Sequence, residues 1–425
     1  MPTINITPHF TTFNSLSLST SQYNIKSVKG TDPDESKLSI VKYENNSKPP
    51  FKHDEYWSHY CRGLIIDVDA DKILCVPTPK GIGNNHFKDM LYDLRTKGDV
   101  NISVEPLLDG TMINLFNHND KWTLSTRSII GAECRWASQK TFKTMFHEIL
   151  GMDILAFYEQ FSKDTSYTFL MRHEDNRIVS KISENALYLV DAHKIDSENH
   201  SVHKVDYRKS FGEGGAGFEC IPQLYGSVAS GDEAIDEVHE KIMHEVGEYL
   251  STNDKYFSQG VCVRLNEYRF NYKSPEYDRV KSLKGNSANP LFIYVDQRYK
   301  GLLPEYLKYF PEKLKDYSHY RDKVHIMTQE LYDFYCSTFK QKTTSLKTDV
   351  PYQLKPLCYE LHGLYLQNKK PVHFKMVQEF VNTMVPARLY FVLKFYFTYK
   401  KPEEKNTHIH FNELEEGEIL EEPWL

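Results

Sequence analysis

Three segments of this chain alternate apolar and polar residues around short polar turns, and no other feature restricts the fold as much. They are GLIIDVDADKILCV (63–76), TMINLFNHNDKWTLSTR (111–127) and GVCVRLNEYRFNY (260–272). A period of two with a tight polar break is the pattern of an antiparallel hairpin, because a short turn joins only antiparallel neighbours. Strand patterns recur at SYTFLM and ALYLVDA, whereas 138–161 and DEAIDEVHEKIMHEVGEYL repeat apolar residues at three- and four-residue spacing. Hairpins with helices between them predict an α+β fold built on antiparallel sheets and exclude a doubly wound parallel one.

From about residue 300 the texture becomes helical throughout. EYLKYFPEKLKDY, TQELYDFYCSTFKQK, LKPLCYELHGLYLQN, HFKMVQEFVNTM and ARLYFVLKFYFTY are separated by polar or Pro-containing joins. Since 425 residues exceed the roughly 100–200 of one domain, the expected division is a sheet-containing domain over 1–299, an all-helical domain over 300–401 and an acidic tail over 402–425. Charge follows this division. Residues 300–401 carry 17 Lys/Arg against 9 Asp/Glu, while 402–425 carry one Lys against eight Glu. A basic block in a chain of net charge −6 is either a surface for a polyanion or a solvated helical face. The tail mixes Glu with Ile419, Leu420, Trp424 and Leu425, a composition suited to docking residues 411–425 on a protein partner or to a solubilising extension.

Seven scattered cysteines without a CxxC pair suggest a reduced chain rather than a disulfide or zinc framework. No apolar run approaches the ~18 residues of a membrane span, and MPTINITPHFTTF has no basic-then-apolar leader pattern. The expectation is a soluble, cytoplasmic protein with no membrane partner.

The strand segments carry short motifs in a fixed order: Arg62-Gly63, Lys80, Asp109-Gly110-Thr111, Ser125-Thr126-Arg127, Phe169 in FLMRHEDNRIV, Gln259-Gly260, then Lys273 and Lys281 in NYKSPEYDRVK. Each is weak alone; their joint order is not. The series LLDGTMIN, STRS, HEDNRIV, FSQGV, NYKSPEY resembles the covalent nucleotidyltransferases, most of all ATP-dependent RNA ligases of the T-even-phage kind and their relatives in large DNA viruses. The resemblance covers about residues 60–300. It implies ATP and Mg²⁺ as cofactors and RNA as partner. It also implies Arg62, Lys80 and Arg127 at phosphate or ribose, Asp109-Gly110 in the nucleotide-binding motif and Phe169 beside adenine. Gln259 takes the metal position, and Lys273 or Lys281 the α-phosphate. A helical RNA-contacting domain follows the catalytic one in that family, which points to Lys308, Lys313, Lys315, Arg321, Lys340 and Lys342 as phosphate contacts.

The pattern breaks where the chemistry is most demanding. The family's first motif is Lys-x-Asp/Glu-Gly, and its lysine attacks the α-phosphorus to form a lysyl-adenylate. Here that position is Leu107, which has no lone pair. Asn271 stands for the first lysine of the late strand, Leu170 for the carboxylate after the phenylalanine and Gln259 for a glutamate. These losses point to a pseudo-ligase that binds RNA or a protein partner, such as a component of a viral transcription or RNA-processing complex. The alternative is an active ATP-dependent RNA ligase whose lysine has been replaced or whose nucleophile lies elsewhere.

Overall fold

Each of the three hairpins forms as an antiparallel strand pair. The structure, a computed structural model, describes residues 3–4, 25–29, 38–43, 53–67, 69–70, 72–136, 138–196, 201–230, 234–253 and 255–399. The acidic segment 402–425, with the docking residues expected in it, lies outside these. In chain order the described strands are β1 (Thr3–Ile4), β2 (Ile25–Lys29), β3 (Leu38–Tyr43), β4 (Arg62–Asp67), β5 (Lys72–Cys75), β6 (Val100–Pro106), β7 (Thr111–His118) and β8 (Lys121–Ser125). They continue with β9 (Thr165–Arg172), β10 (Ala186–Asp196), β11 (Ser201–Lys204), β12 (Gly214–Gly215), β13 (Phe218–Cys220), β14 (Tyr225–Ala229), β15 (Gly260–Leu265) and β16 (Tyr268–Lys273). The helices before residue 285 are α1 (Phe87–Arg95), α2 (Phe142–Leu150), α3 (Ile154–Tyr158), α4 (Tyr207–Phe211), α5 (Ile235–Thr252) and α6 (Pro275–Lys284).

Three sheets result, of order β1-β11-β10-β9-β7-β8, β14-β6-β15-β16 and β2-β3-β4-β5, with β13 added in parallel beside β10. The turns explain the registers. Asn119 and Asp120 both adopt positive φ, 52° and 61°, the conformation that matches the twist of a two-residue hairpin. Helical periodicity over 138–161 resolves into two helices rather than one. Thr141 caps α2 by accepting the Thr144 N–H, Gly151 ends it at φ 60°, and Asp153 caps α3.

The six-strand path packs one face on α2 and α3, burying Phe146, Phe157, Phe161, Phe169 and Phe218 together. The β14-β6-β15-β16 sheet packs its other face on α1 and α5, burying Val104, Val263, Phe270, Phe87 and Ile242. The remaining faces carry the polar residues of the candidate site.

The chain divides into two compact units, Met1–Lys281 and Ser282–Leu425, with the division inside α6. The second unit is helical among its described residues: α7 (Pro290–Lys300), α8 (Leu303–Tyr309), α9 (Leu314–Tyr335), α10 (Lys355–Asn368), α11 (Phe374–Asn382) and α12 (Pro386–Tyr399). Residue 299, where the sequence texture changes, lies within α7. Pro311 ends the run that begins EYLKYF, so the second half of that segment and TQELYDFY share α9, which continues as a π-helical turn over Cys336–Gln341. The fold class is therefore α+β, with antiparallel sheets followed by a helical C-terminal region. Among the described residues no helix is long and apolar enough to cross a membrane, and all seven cysteines are free thiols.

Candidate functional site

The motifs that lie far apart in sequence meet through hydrogen bonds. Asp109, 7% exposed, accepts the Tyr277 hydroxyl on Oδ1 at 2.7 Å and the Val179 and Ser180 amides on Oδ2 at 2.8 and 2.9 Å. This ties LLDG to NRIV and to the first turn of α6. Asn176 Nδ2 adds a bond to Thr111 Oγ1 at 2.7 Å. The Leu107 amide donates to the Gly260 carbonyl at 2.8 Å, joining LLDG to SQGV. Gly260 has φ +135°, and a Cβ there would stand 2.1 Å from the Tyr272 carbonyl oxygen, so only glycine fits. Gly63, at φ +108°, would place a Cβ 2.9 Å from the Arg127 Cα, which is how Arg62-Gly63 comes against Thr126-Arg127.

Three of the expected phosphate contacts converge on Tyr43, a residue the sequence reading missed. Lys80 Nζ lies 4.7 Å and Arg127 Cζ 5.6 Å from the Tyr43 ring centroid. The Lys80 backbone is fixed by His59, whose carbonyl accepts the Lys80 amide and whose Nδ1 is 2.8 Å from the Lys80 carbonyl. Arg62 completes the group. Burial lowers its pKa and the positive charges of Arg269 and Arg127 lower it further, while Tyr43 opposes them. Burial raises the Tyr43 hydroxyl, with Arg62 and Arg127 acting against it. Cations held this close relieve their repulsion by taking an anion.

The surroundings of position 107 are different. Leu107 is 9% exposed at the end of β6. Leu170 is buried with Val190 and Ile221, and Leu108, Met112 and Tyr188 pack on them. A cavity of about 220 Å³ touches Leu107, Asp109, Arg172, Tyr249 and Lys255, below the roughly 300–1,000 Å³ of small-molecule pockets. Phe169 requires a correction: it is 0% exposed inside the α2–α3 core and offers no face to adenine. Successive strand residues face opposite ways, so it is Leu170 that turns from that core. The metal position fits poorly as well. Gln259 is neutral, Leu170 is a hydrocarbon, and the oxygens of Asp109 already accept three hydrogen bonds. A hard divalent cation prefers ionised oxygen ligands, and this donor set does not supply them.

Facing polar surfaces of the sheet that holds β10 and of the β14-β6-β15-β16 sheet are joined by a buried ion network, also unseen from sequence. Arg264 bonds Glu105 at 2.9 Å and Asp191 at 3.1 Å. Arg208 reaches Glu105 at 2.7 Å, and Arg269 reaches Thr78, which donates to Asp191. Burial opposes ionisation of both carboxyls, but Arg264 and its neighbouring cations outweigh it and hold both below their ordinary values. His193, beside them, is pushed by burial down to about 4, with Asp191 opposing. A cavity of about 640 Å³ lies against Asn101, Ser103, Lys204, Arg208 and Arg264. Its cations are largely engaged, with Glu105, Asp191 and the Asn266 carbonyl.

Other expected residues lie on the surface. Lys273 faces Asp278 at 3.6 Å, and Lys281 Nζ is 5.7 Å from the Tyr277 ring. His173 is structural, held by Glu148 at 3.0 Å and the Asp175 amide at 3.1 Å. The cluster Glu148, His173, Asp175 holds Lys140 Nζ at 2.8 and 2.9 Å, so an amine already supplies its positive charge. In the second unit Lys308, Lys313, Lys315 and Arg321 lie at the start of α9 or just before it, whereas Lys340 and Lys342 lie past its end. At 22 residues α9 spans about 33 Å, so the six cations fall into two groups along the chain. Lys340 is anchored to the Val372 carbonyl at 2.7 Å.

No protein-family profile and no curated protein matches this chain. Among solved structures it is similar to an archaeal ATP-dependent RNA ligase at 12% identity, over 72% of this chain and 74% of that chain, with a TM-score of 0.40. It is also similar to Naegleria gruberi RNA ligase with PPi, at 12% identity over 45% and 54% of the two chains, TM-score 0.29. A mutant of the same ligase with ATP and Mn gives 13%, 44%, 54% and 0.29. These likenesses are too distant to assign an activity.

Proposed function

We propose that this chain is a ligase-like protein of the covalent nucleotidyltransferase type that no longer adenylylates itself and serves as an RNA-binding or partner-binding component. The observation that carries the reading is Leu107. At the position where the resemblance requires an amine, a hydrocarbon side chain directly follows β6, and it borders a small cavity with Asp109, Arg172 and Lys255. A C–H side chain cannot form a phosphorus–nitrogen bond. The cations around Tyr43 suit the phosphates of a nucleotide or an RNA strand, which require charge but no nucleophile. The poor metal donor set supports the same conclusion.

The test is incubation with ATP labelled at the α-phosphate and Mg²⁺ or Mn²⁺, followed by denaturing electrophoresis. No label should remain on the chain, nor should Leu107→Lys alone create an adduct, because Leu170 and Gln259 remain. A covalent adduct on the wild-type chain would overturn the reading. One observation favours the second reading, an active RNA ligase with a relocated nucleophile: Lys255 borders the same cavity as Leu107. In that case the wild-type adduct forms and Lys255→Arg abolishes it.

A further inference from the structure

We propose that the π-helical end of α9 and the ring-bearing side of α10 form a stacking platform for the bases of single-stranded RNA. The inference rests on the RNA-binding reading above and gives it a location and a mode.

Phe339 sits in the π-helical turn Cys336–Gln341, a rare geometry that shifts the side chains following it around the helix. Its ring lies 4.0 Å from that of His362 at an interplanar angle of 11°, and His362 lies 5.7 Å from Tyr365 at 26°. Three rings thus form a near-parallel stack that ends on Tyr365, 38% exposed. Tyr359, one turn before His362 on α10, meets the edge of Phe339 at 6.5 Å and is 63% exposed. Core packing does not account for these two tyrosines. The buried positions here are filled by Tyr335, Leu357, Cys358 and Leu361, each 2% exposed or less. A planar base added to the outer ring would continue the stack, an interaction indifferent to base identity.

Charge selects nucleic acid over an apolar peptide. Between residues 338 and 370 there are six lysines and two acids. Both acids are already engaged: Asp349 accepts the Ser345 amide at 2.7 Å, and Glu360 pairs with Arg388 at 2.9 Å. Lys342, Lys347, Lys369 and Lys370 are exposed. Aromatic faces bordered by such cations match bases joined by phosphates.

The experiment measures fluorescence anisotropy of labelled oligoadenylate of about 15 nucleotides, and of a duplex of equal length, with the full chain at several salt concentrations. The single strand should bind more tightly than the duplex. Tyr359→Ala with Tyr365→Ala should raise Kd at least about tenfold without changing the slope of log Kd against log salt. Tyr365→Phe should retain binding, and Lys342→Ala with Lys347→Ala should reduce the slope. An unchanged Kd in the double tyrosine variant, or preference for the duplex, overturns the platform and leaves RNA binding standing. No binding of either oligonucleotide by the wild-type chain, at any salt, overturns both.

Discussion

Around Tyr43 the first unit gathers cations; at position 107 it places a hydrocarbon side chain. Both regions carry motifs from the same series, but Arg62, Lys80 and Arg127 are cations whereas Leu107 and Leu170 have hydrocarbon side chains, and the proposed reading assigns binding to the first set and a missing bond-forming step to the second. The contrast teaches that the two requirements are separable. Holding an anion needs positive charge and donors, which several residues share. Attacking phosphorus needs one lone pair at one place, and a single side chain decides it. Asp109 has a structural task of its own, because its carboxylate fastens three chain segments together.

The largest effect is expected at the ion network that joins the sheets behind both regions. Arg264→Ala leaves Glu105 and Asp191 buried without their shared cation, so denaturant unfolding should show a loss of about 3–5 kcal/mol. A loss below about 1 kcal/mol would mean that the network is not what holds the two faces in place.

Acid should act on the same scaffold. His193 titrates near 4 when folded and near 6.5 when unfolded, so the unfolded chain binds the extra proton between those values. Its contribution is complete above about pH 6.5 and is lost as pH falls toward 4, about 3 kcal/mol in all. Glu105 and Asp191, whose carboxyls are held low, extend the loss below pH 4. Urea midpoints measured from pH 7 to 4 should fall, and His193→Gln should flatten the upper part of that curve. A flat wild-type profile would refute the assignment.

Tyr277→Phe removes one hydroxyl from a buried carboxylate and should cost about 1–3 kcal/mol. If stability is unaffected, the link between the LLDG and α6 motifs is incidental. The smallest stability change is expected for Arg127→Ala, within about 0.5 kcal/mol, but calorimetry with tripolyphosphate should find affinity weakened about tenfold. Equal affinity in variant and wild type would remove the anion-binding half of the comparison.

Much of the fold was legible in the sequence, because hairpins and helices are set by local periodicity. The hairpin beginning at Thr111 has its turn at Asn119-Asp120, and five helical segments after 300 were found although Pro311 redistributed two of them. The motifs were legible too, and hydrogen bonds bring 109, 176–180 and 277 together. Phe169 was misplaced for a physical reason. It and Leu170 are both apolar, strand neighbours face opposite sides, and nothing local says which side carries the helices. Tyr43 had no motif to mark it.

Read alone, the chain already shows that position 107 has no side-chain nitrogen, where strands give way to helices, and where positive charge is concentrated. It took the packed fold to commit Asp109 to Tyr277 and two amides and to bring Arg264 to carboxylates 159 and 73 residues away. The reason is range. Backbone periodicity and side-chain chemistry are properties of a few consecutive residues, whereas ion pairing and burial depend on distances that exist only after the sheets have packed.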